Sequence, residues 1–217
     1  MNKIEYIMFD LDGTLTDPYE GITNSLAYAI GKAGFAVPPK SVLKKYIGPP
    51  LIPSFMNDFG VDEAFSRKML DYYREYYEPH GIFENEVYPG IGEMLACLKK
   101  KGATLIVATS KPESYAAEII KHFGLAEYFS AVCGNTMDES RTTKTDIIAY
   151  VKECFTGIDG GNAFMVGDRR YDIEGAEANG IPAIGVLYGY GSEAEFDGAA
   201  FIAQSVAELK EFLLGQL

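Results

Sequence analysis

Four places in the chain concentrate side chains that could do chemistry. They are Asp10-Leu11-Asp12-Gly13-Thr14-Leu15-Thr16, Thr109-Ser110-Lys111, Lys144, and Gly167-Asp168-Arg169-Arg170-Tyr171-Asp172. Two carboxylates one residue apart, with a glycine following, can both be aimed into one crevice. There they repel, and one pKa rises unless a cation lies between them. Asp168 and Asp172 would bring the total to four acids, a set that nearly requires a metal ion at neutral pH. An all-oxygen donor set with room for water suits Mg²⁺ and not Zn²⁺. Neither histidine is placed to be a ligand. His122 belongs to a helical stretch ending at Gly124, and His80 to the turn Glu78-Pro79-His80-Gly81.

Each group alone has an ordinary explanation. An aspartate after a strand is commonly a helix cap or turn former. Thr109 and Ser110 could cap a helix starting near Pro112, and a single lysine such as Lys144 is usually solvated. What matters is the conjunction of acid pair, hydroxyls, lysine and second acid pair at successive positions.

The elements that must position them follow from hydrophobic patterning. Ile4–Phe9, Thr104–Ala108, Ser130–Cys133, Ala163–Val166 and Ala183–Leu187 are runs too continuous for a sheet exposed on one face, so they read as buried parallel strands. Helical stripes lie ahead of and between the last four: Ile91, Leu95 and Leu98 before Gly102; Ala116, Ile119, Ile120 and Phe123 before Gly124; and Ile147, Ile148 and Val151 after Thr145. The glycines stand where helix C-caps belong. Ser205 through Glu208 has capping-box spacing ahead of Leu209, Phe212 and Leu213. Alternation of strand and helix means α/β, a doubly wound parallel sheet with a Rossmann-like core and right-handed crossovers. In such sheets ligands bind beyond the carboxyl ends of the strands. All four groups are expected there, on one rim.

One interval breaks the alternation. After the first strand, the chain reads as helices only until Pro89-Gly90. Asp17-Pro18 has N-cap and N1 character ahead of Ile22, Leu26, Ala29 and Ile30, and a second stripe with Phe65, Met69, Tyr72, Tyr73 and Tyr76 closes at Pro79. The expected organisation is a catalytic core of residues 1–16 and 88–217, with an inserted all-helical cap domain of residues 17–87. The insertion reads as a lid over the end of the first strand, with its tyrosines serving as cap core and surface.

Composition narrows the partners. The 217 residues are 47% hydrophobic and carry 19 Lys+Arg against 31 Asp+Glu, a formal charge of −12. That balance argues against nucleic acid, because nothing would offset phosphate repulsion at long range; a small phosphorylated substrate in a closed site is unaffected. No apolar run approaches the roughly 18 residues of a membrane span, and the first residues lack the plan of a signal peptide. Three cysteines without a C-x-x-C suggest free thiols and a cytoplasmic setting. A monomer or weak homodimer is expected.

Asp10-x-Asp12-Gly13-Thr14-Leu15, the run Leu105–Ser110, Lys144 and Gly167-Asp168-Arg169-x-x-Asp172 resemble the four motifs of the haloacid dehalogenase-like superfamily, in order and over essentially the whole chain. The helical insertion is similar to that family's cap. Gly48-Pro49-Pro50-Leu51, the form of the fourth motif and Leu187-Tyr188-Gly189-Tyr190-Gly191 resemble the phosphoglycolate phosphatases and related 5′-nucleotidase-like proteins. The resemblance implies a Mg²⁺-dependent phosphatase of small phosphomonoesters working through an aspartyl-phosphate. Asp10 would be the nucleophile and Asp12 the general acid and base. Thr109, Ser110 and Lys144 would hold the phosphate oxygens. The metal would be held by Asp10, the backbone carbonyl of Asp12, and Asp168, with Asp172 in or near that shell.

Rivals are weaker. Haloacid dehalogenases proper lack the second aspartate, and sugar phosphomutases favour a different fourth motif. Phosphonatases use a cap lysine, for which only Lys44 or Lys45 offers itself. A receiver-type signalling module has no cap and places its phosphoacceptor on a later strand. Lys111, directly ahead of Pro112, is expected to leave toward solvent or the cap and to matter less than Lys144. Arg141 is the next candidate should Lys144 be misplaced.

Overall fold

A computed structural model describes residues 3–217. In chain order its elements are β1 (Tyr6–Phe9), β2 (Thr16–Asp17), α1 (Tyr19–Lys32), α2 (Lys40–Leu43), α3 (Leu51–Phe59), α4 (Glu63–Tyr76), β3 (Glu86–Val87) and α5 (Ile91–Lys100). There follow β4 (Thr104–Pro112), α6 (Glu113–His122), β5 (Phe129–Asn135), α7 (Lys144–Cys154), β6 (Ala163–Gly167), α8 (Arg170–Ala178), β7 (Ala183–Val186), β8 (Phe201–Ala203) and α9 (Val206–Gln216). The chain forms two compact units, Met1–Asp17 with Val87–Leu217, and Pro18–Glu86.

The first unit is built on a six-stranded sheet in the order β5-β4-β1-β6-β7-β8. Every pairing is parallel, with Phe9 in register with Val107 of β4 on one side and Val166 of β6 on the other. β1 is therefore central, and the chain leaves it first toward β4 and β5, then toward β6, β7 and β8. This reversal puts a crevice at the carboxyl ends of β1 and β6. The strands are continuous apolar runs because helices cover the sheet: Met8, Ile106 and Met165 are fully buried with Ile147, Ile148 and Val151 of α7 and Ala176 of α8.

All five expected strands form. The sixth, β8, is three residues long and offers too short an apolar run to be read from pattern. β4 runs on past Ala108 to Pro112, carrying Thr109, Ser110 and Lys111 as the end of a strand. Gly102 and Gly124 end their helices with φ of 93° and 68°, where a side chain would be strained. Ser205 caps α9 through the Glu208 amide at 3.3 Å, while the Glu208 carboxylate reaches back to the Gln204 amide at 2.8 Å.

The second unit is helical. α1 and α3 pack on α4 around buried Leu26, Ile30, Phe55, Met69, Tyr73 and Tyr77. Tyr73 and Tyr77 stack with ring centres 5.2 Å apart, as cap-core residues should. Asp62 caps α4 by accepting from the Phe65 amide at 2.8 Å. One expectation fails in detail: Pro18, not Asp17, occupies the N-cap of α1. Asp17 lies in β2 and accepts a hydrogen bond from the Tyr190 hydroxyl, so its carboxylate is engaged elsewhere. Among the described residues no helix is long and apolar enough to cross a membrane.

Candidate active site

The site begins where β1 and β6 run out. Asp10 follows β1, and its amide donates to Val166 O of β6 at 2.9 Å, so the end of one strand is fastened to its neighbour. Asp168 follows β6. Asp172 lies in the first turn of α8, where its Oδ2 accepts from the Arg169 amide at 3.1 Å. Lys144 opens α7 behind its cap Thr143. The fold brings these four together. Lys144 Nζ lies 2.7 Å from Asp10 Oδ1, 2.7 Å from Asp172 Oδ1 and 2.8 Å from Ala108 O at the end of β4.

The cluster is buried, with Asp168 and Asp172 each 1% exposed and Lys144 5% exposed. Burial works against the charged amine of Lys144, but Asp10 and Asp172 outweigh it and raise its pKa. Burial also lifts Asp172, to about 6, with Lys144 opposing and Asp10 adding. Asp168 is raised well above the carboxylate range, first by burial and then by Asp10 and Asp172. Three acids facing one ammonium leave two surplus negative charges when all are ionised.

Oxygens of Asp10, Asp168 and Asp172 all lie within 4.8 Å of one another. Asp168 Oδ1 is buried and has no hydrogen-bond partner, while its Oδ2 accepts from the Tyr190 amide at 2.8 Å. An oriented, unpartnered carboxylate oxygen in an all-oxygen, over-negative cluster fits a hard divalent cation such as Mg²⁺.

Close approach of these groups depends on missing side chains. A Cβ on Gly13 or Gly189 would collide with the Asp168 carboxylate, one on Gly167 with Asp172, and one on Gly175 with Lys144. Gly13 also holds φ 83°. The run Tyr188-Gly189-Tyr190-Gly191 was legible as a motif, but not its task, which is to lay a backbone N–H on Asp168.

Asp12 and Lys111 form a second centre. The Asp12 carboxylate is absent from the acid cluster and pairs with Lys111, Nζ to Oδ2 2.6 Å. Lys111 thus departs from the expectation that it leaves toward solvent or the cap: its side chain is 6% exposed and its ammonium meets Asp12. The extended backbone of β4 through Pro112 is the reason, since it aims residue 111 along the rim instead of out along α6. Burial holds the Asp12 pKa up, with Lys111 pulling the other way. Thr109 is buried at the same strand end, its hydroxyl accepting from the Lys111 amide at 3.3 Å; Ser110 beside it is half-buried. Arg141 stands apart, donating to Gly134 O at 2.9 Å, pairing with Glu113 at 3.2 Å and covering the Tyr150 ring at 3.6 Å.

The family model for haloacid dehalogenase-like hydrolases matches residues 7–186. The chain is 44% identical to a 5′-nucleotidase from Pseudomonas aeruginosa over 87% of its own length and 85% of that protein's. It is 35% identical to the tyrosine-protein kinase PtkA of Mycobacterium tuberculosis, over 96% of this chain and 72% of that one. A phosphoglycolate phosphatase from Neisseria gonorrhoeae is 32% identical, over 88% and 83%. The crystal structure of a predicted phosphatase from Clostridium acetobutylicum superposes with a TM-score of 0.94 at 46% identity, covering 98% of this chain and 99% of that one. Four motifs in order, the sheet that gathers them and these relatives place the chain in the haloacid dehalogenase-like hydrolase family.

Proposed function

We propose that the chain is a Mg²⁺-dependent phosphatase of small phosphomonoesters that works through an aspartyl-phosphate on Asp10. The observation that carries this reading is the buried cluster of Asp10, Asp168 and Asp172, with Lys144 paired to Asp10 and Asp172. A phosphoryl group is most in need of positioning and charge stabilisation, and this cluster supplies a carboxylate nucleophile with a cation already beside it.

In this reading Asp10 attacks phosphorus and the ester oxygen leaves. Asp12, whose pKa burial holds up, gives that oxygen a proton and then takes one from the water that hydrolyses the acyl phosphate. Lys144, 2.7 Å from Asp10 Oδ1, holds the equatorial oxygens. Thr109 and Ser110, at the end of β4, offer hydroxyl and amide donors to the same group. Asp10 and Asp168 with the Asp12 carbonyl would hold the metal, and Asp172 orients Lys144 from its edge. Mg²⁺, general among phosphatases of this family, neutralises charge between nucleophile and phosphate when bound.

Two substrate classes are supported by the relatives: phosphoglycolate-like small acids, and nucleoside 5′-monophosphates, the latter favoured by the 44% identity to a nucleotidase. Phosphate release from a panel of both, with Mg²⁺ and with excess EDTA, is the test. Full activity in EDTA overturns the metal assignment; no release from any ester overturns the reading. Release to water, as opposed to transfer to a tyrosyl hydroxyl, separates it from the activity for which the mycobacterial relative is named.

A further inference from the structure

The cluster around Lys144 leaves one buried ion pair without a part. Lys111 and Asp12 are 99 positions apart in sequence, yet Lys111 Nζ lies 2.6 Å from Asp12 Oδ2, with the side chains 6% and 15% exposed. Burying an ammonium is costly unless a partner compensates it, so a lysine here is held by that contact. The pair fastens the loop after β1 to the end of β4. Only one oxygen of Asp12 is engaged: Oδ1 is buried and has no hydrogen-bond partner. Lys144 does not share this work, because its contacts are Asp10, Asp172 and Ala108 O.

We infer that Lys111 is a positioning residue for leaving-group protonation: by clamping Asp12 Oδ2 it presents Asp12 Oδ1 to the ester oxygen. The inference rests on the phosphatase reading above, with Asp12 as the acid. In the step concerned, an Asp10 carboxylate oxygen forms a bond to phosphorus while the bond from phosphorus to the ester oxygen breaks. The bonding pair goes to the ester oxygen, which takes the proton from Asp12 Oδ1 and departs as an alcohol, leaving Asp12 as carboxylate.

That assignment makes the role of Lys111 depend on the leaving group. A p-nitrophenolate departs without a proton, whereas an alkoxide needs one. A lysine that merely bound phosphate, or merely held the fold, would matter equally for both. The test compares kcat/KM on p-nitrophenyl phosphate and on an alkyl phosphate such as glycerol phosphate, with Mg²⁺, for the unmodified enzyme, Lys111→Met and Lys111→Arg. Because both esters are measured on one sample, the alkyl-to-aryl ratio cancels the folded fraction.

The expected result is a ratio at least tenfold lower for Lys111→Met and within about threefold of the unmodified enzyme for Lys111→Arg, which keeps the charge. Equal losses on the two esters, or no loss, overturn the inference; so does a Lys111→Arg ratio as low as that of Lys111→Met. If Lys111→Met shows no melting transition, Lys111→Gln carries the same comparison. An unmodified enzyme inactive on both esters and on the wider panel removes the phosphatase reading, whereas an active set of variants with a constant ratio removes only the role of Lys111.

Discussion

Both units carry ion pairs open to water, but among the described residues the deeply buried pairs gather in the sheet unit. In the helical unit, Lys32–Glu75, Lys40–Glu20, Lys45–Asp58 and Arg67–Glu63 pair with side chains from about a third to well over half exposed. The sheet unit has part-exposed pairs too, Arg141–Glu113, Arg169–Glu195 and Lys210–Glu93, but at its strand ends Lys144–Asp10, Lys144–Asp172 and Lys111–Asp12 pair with side chains no more than 15% exposed. Exposed pairs gain little, because water screens them and the long side chains lose freedom. Buried pairs carry a desolvation cost that only good geometry recovers, and breaking one strands a charge. A fold selected only for stability has little use for the second kind, so the difference marks where acids are being kept together for chemistry.

The largest loss is expected for Asp10→Asn. The amide keeps the shape but is a poor nucleophile and a weaker ligand, and turnover is expected to fall below a few per cent with the fold intact by circular dichroism. Retained turnover would remove Asp10 from the nucleophile's role.

Lys144→Ala comes next. It leaves the acid cluster without its ammonium, a loss on the order of 2–4 kcal/mol and so roughly 30- to 1000-fold in kcat/KM. The effect should exceed that of Lys111→Ala on the same substrate. An enzyme changed less than about twofold would mean the third motif lies elsewhere.

The acid cluster can also be probed through stability. In the metal-free protein Asp172 sits at about 6, above its unfolded value of about 3.9. Between those values the folded state holds a proton that the unfolded chain has released. This group therefore lowers stability as pH rises through that window, and its full penalty stands above about pH 6. Binding of Mg²⁺ needs the carboxylates ionised and offsets their repulsion. Added Mg²⁺ should therefore raise the melting temperature more at pH 7.5 than at pH 5; equal shifts at the two values would place the ion away from this cluster.

The smallest effect is expected in the helical unit. Arg67→Ala removes an exposed i,i+4 pair with Glu63 and should move the melting temperature by less than about 2 °C, with kcat/KM unchanged. A larger shift would show that the contrast between exposed and buried pairs is overdrawn.

Much of this was legible beforehand because it is local. Continuous apolar runs gave away the buried strands, and Gly102, Gly124 and Ser205 marked helix ends through backbone and capping requirements that neighbours alone impose. β8 escaped because three residues carry too little pattern. The N-cap of α1 escaped by one position because Asp17 had a distant competitor, the Tyr190 hydroxyl, for its carboxylate.

The same division runs through the site. Residue types and order were enough to nominate Asp10, Asp12, Thr109, Ser110, Lys144, Asp168 and Asp172, since charges and hydroxyls after successive parallel strands must reach the same rim. Which charge meets which was beyond the sequence. That Lys144 lies between Asp10 and Asp172, that Lys111 turns inward to Asp12, and that Tyr190 gives its amide to Asp168 depend on strand register, on β4 staying extended to Pro112, and on glycines that let backbone and carboxylate touch. Such pairings join residues as much as 99 positions apart. They are decided by distances of a few tenths of an ångström in a medium that does not screen, and only the packed tertiary structure sets those.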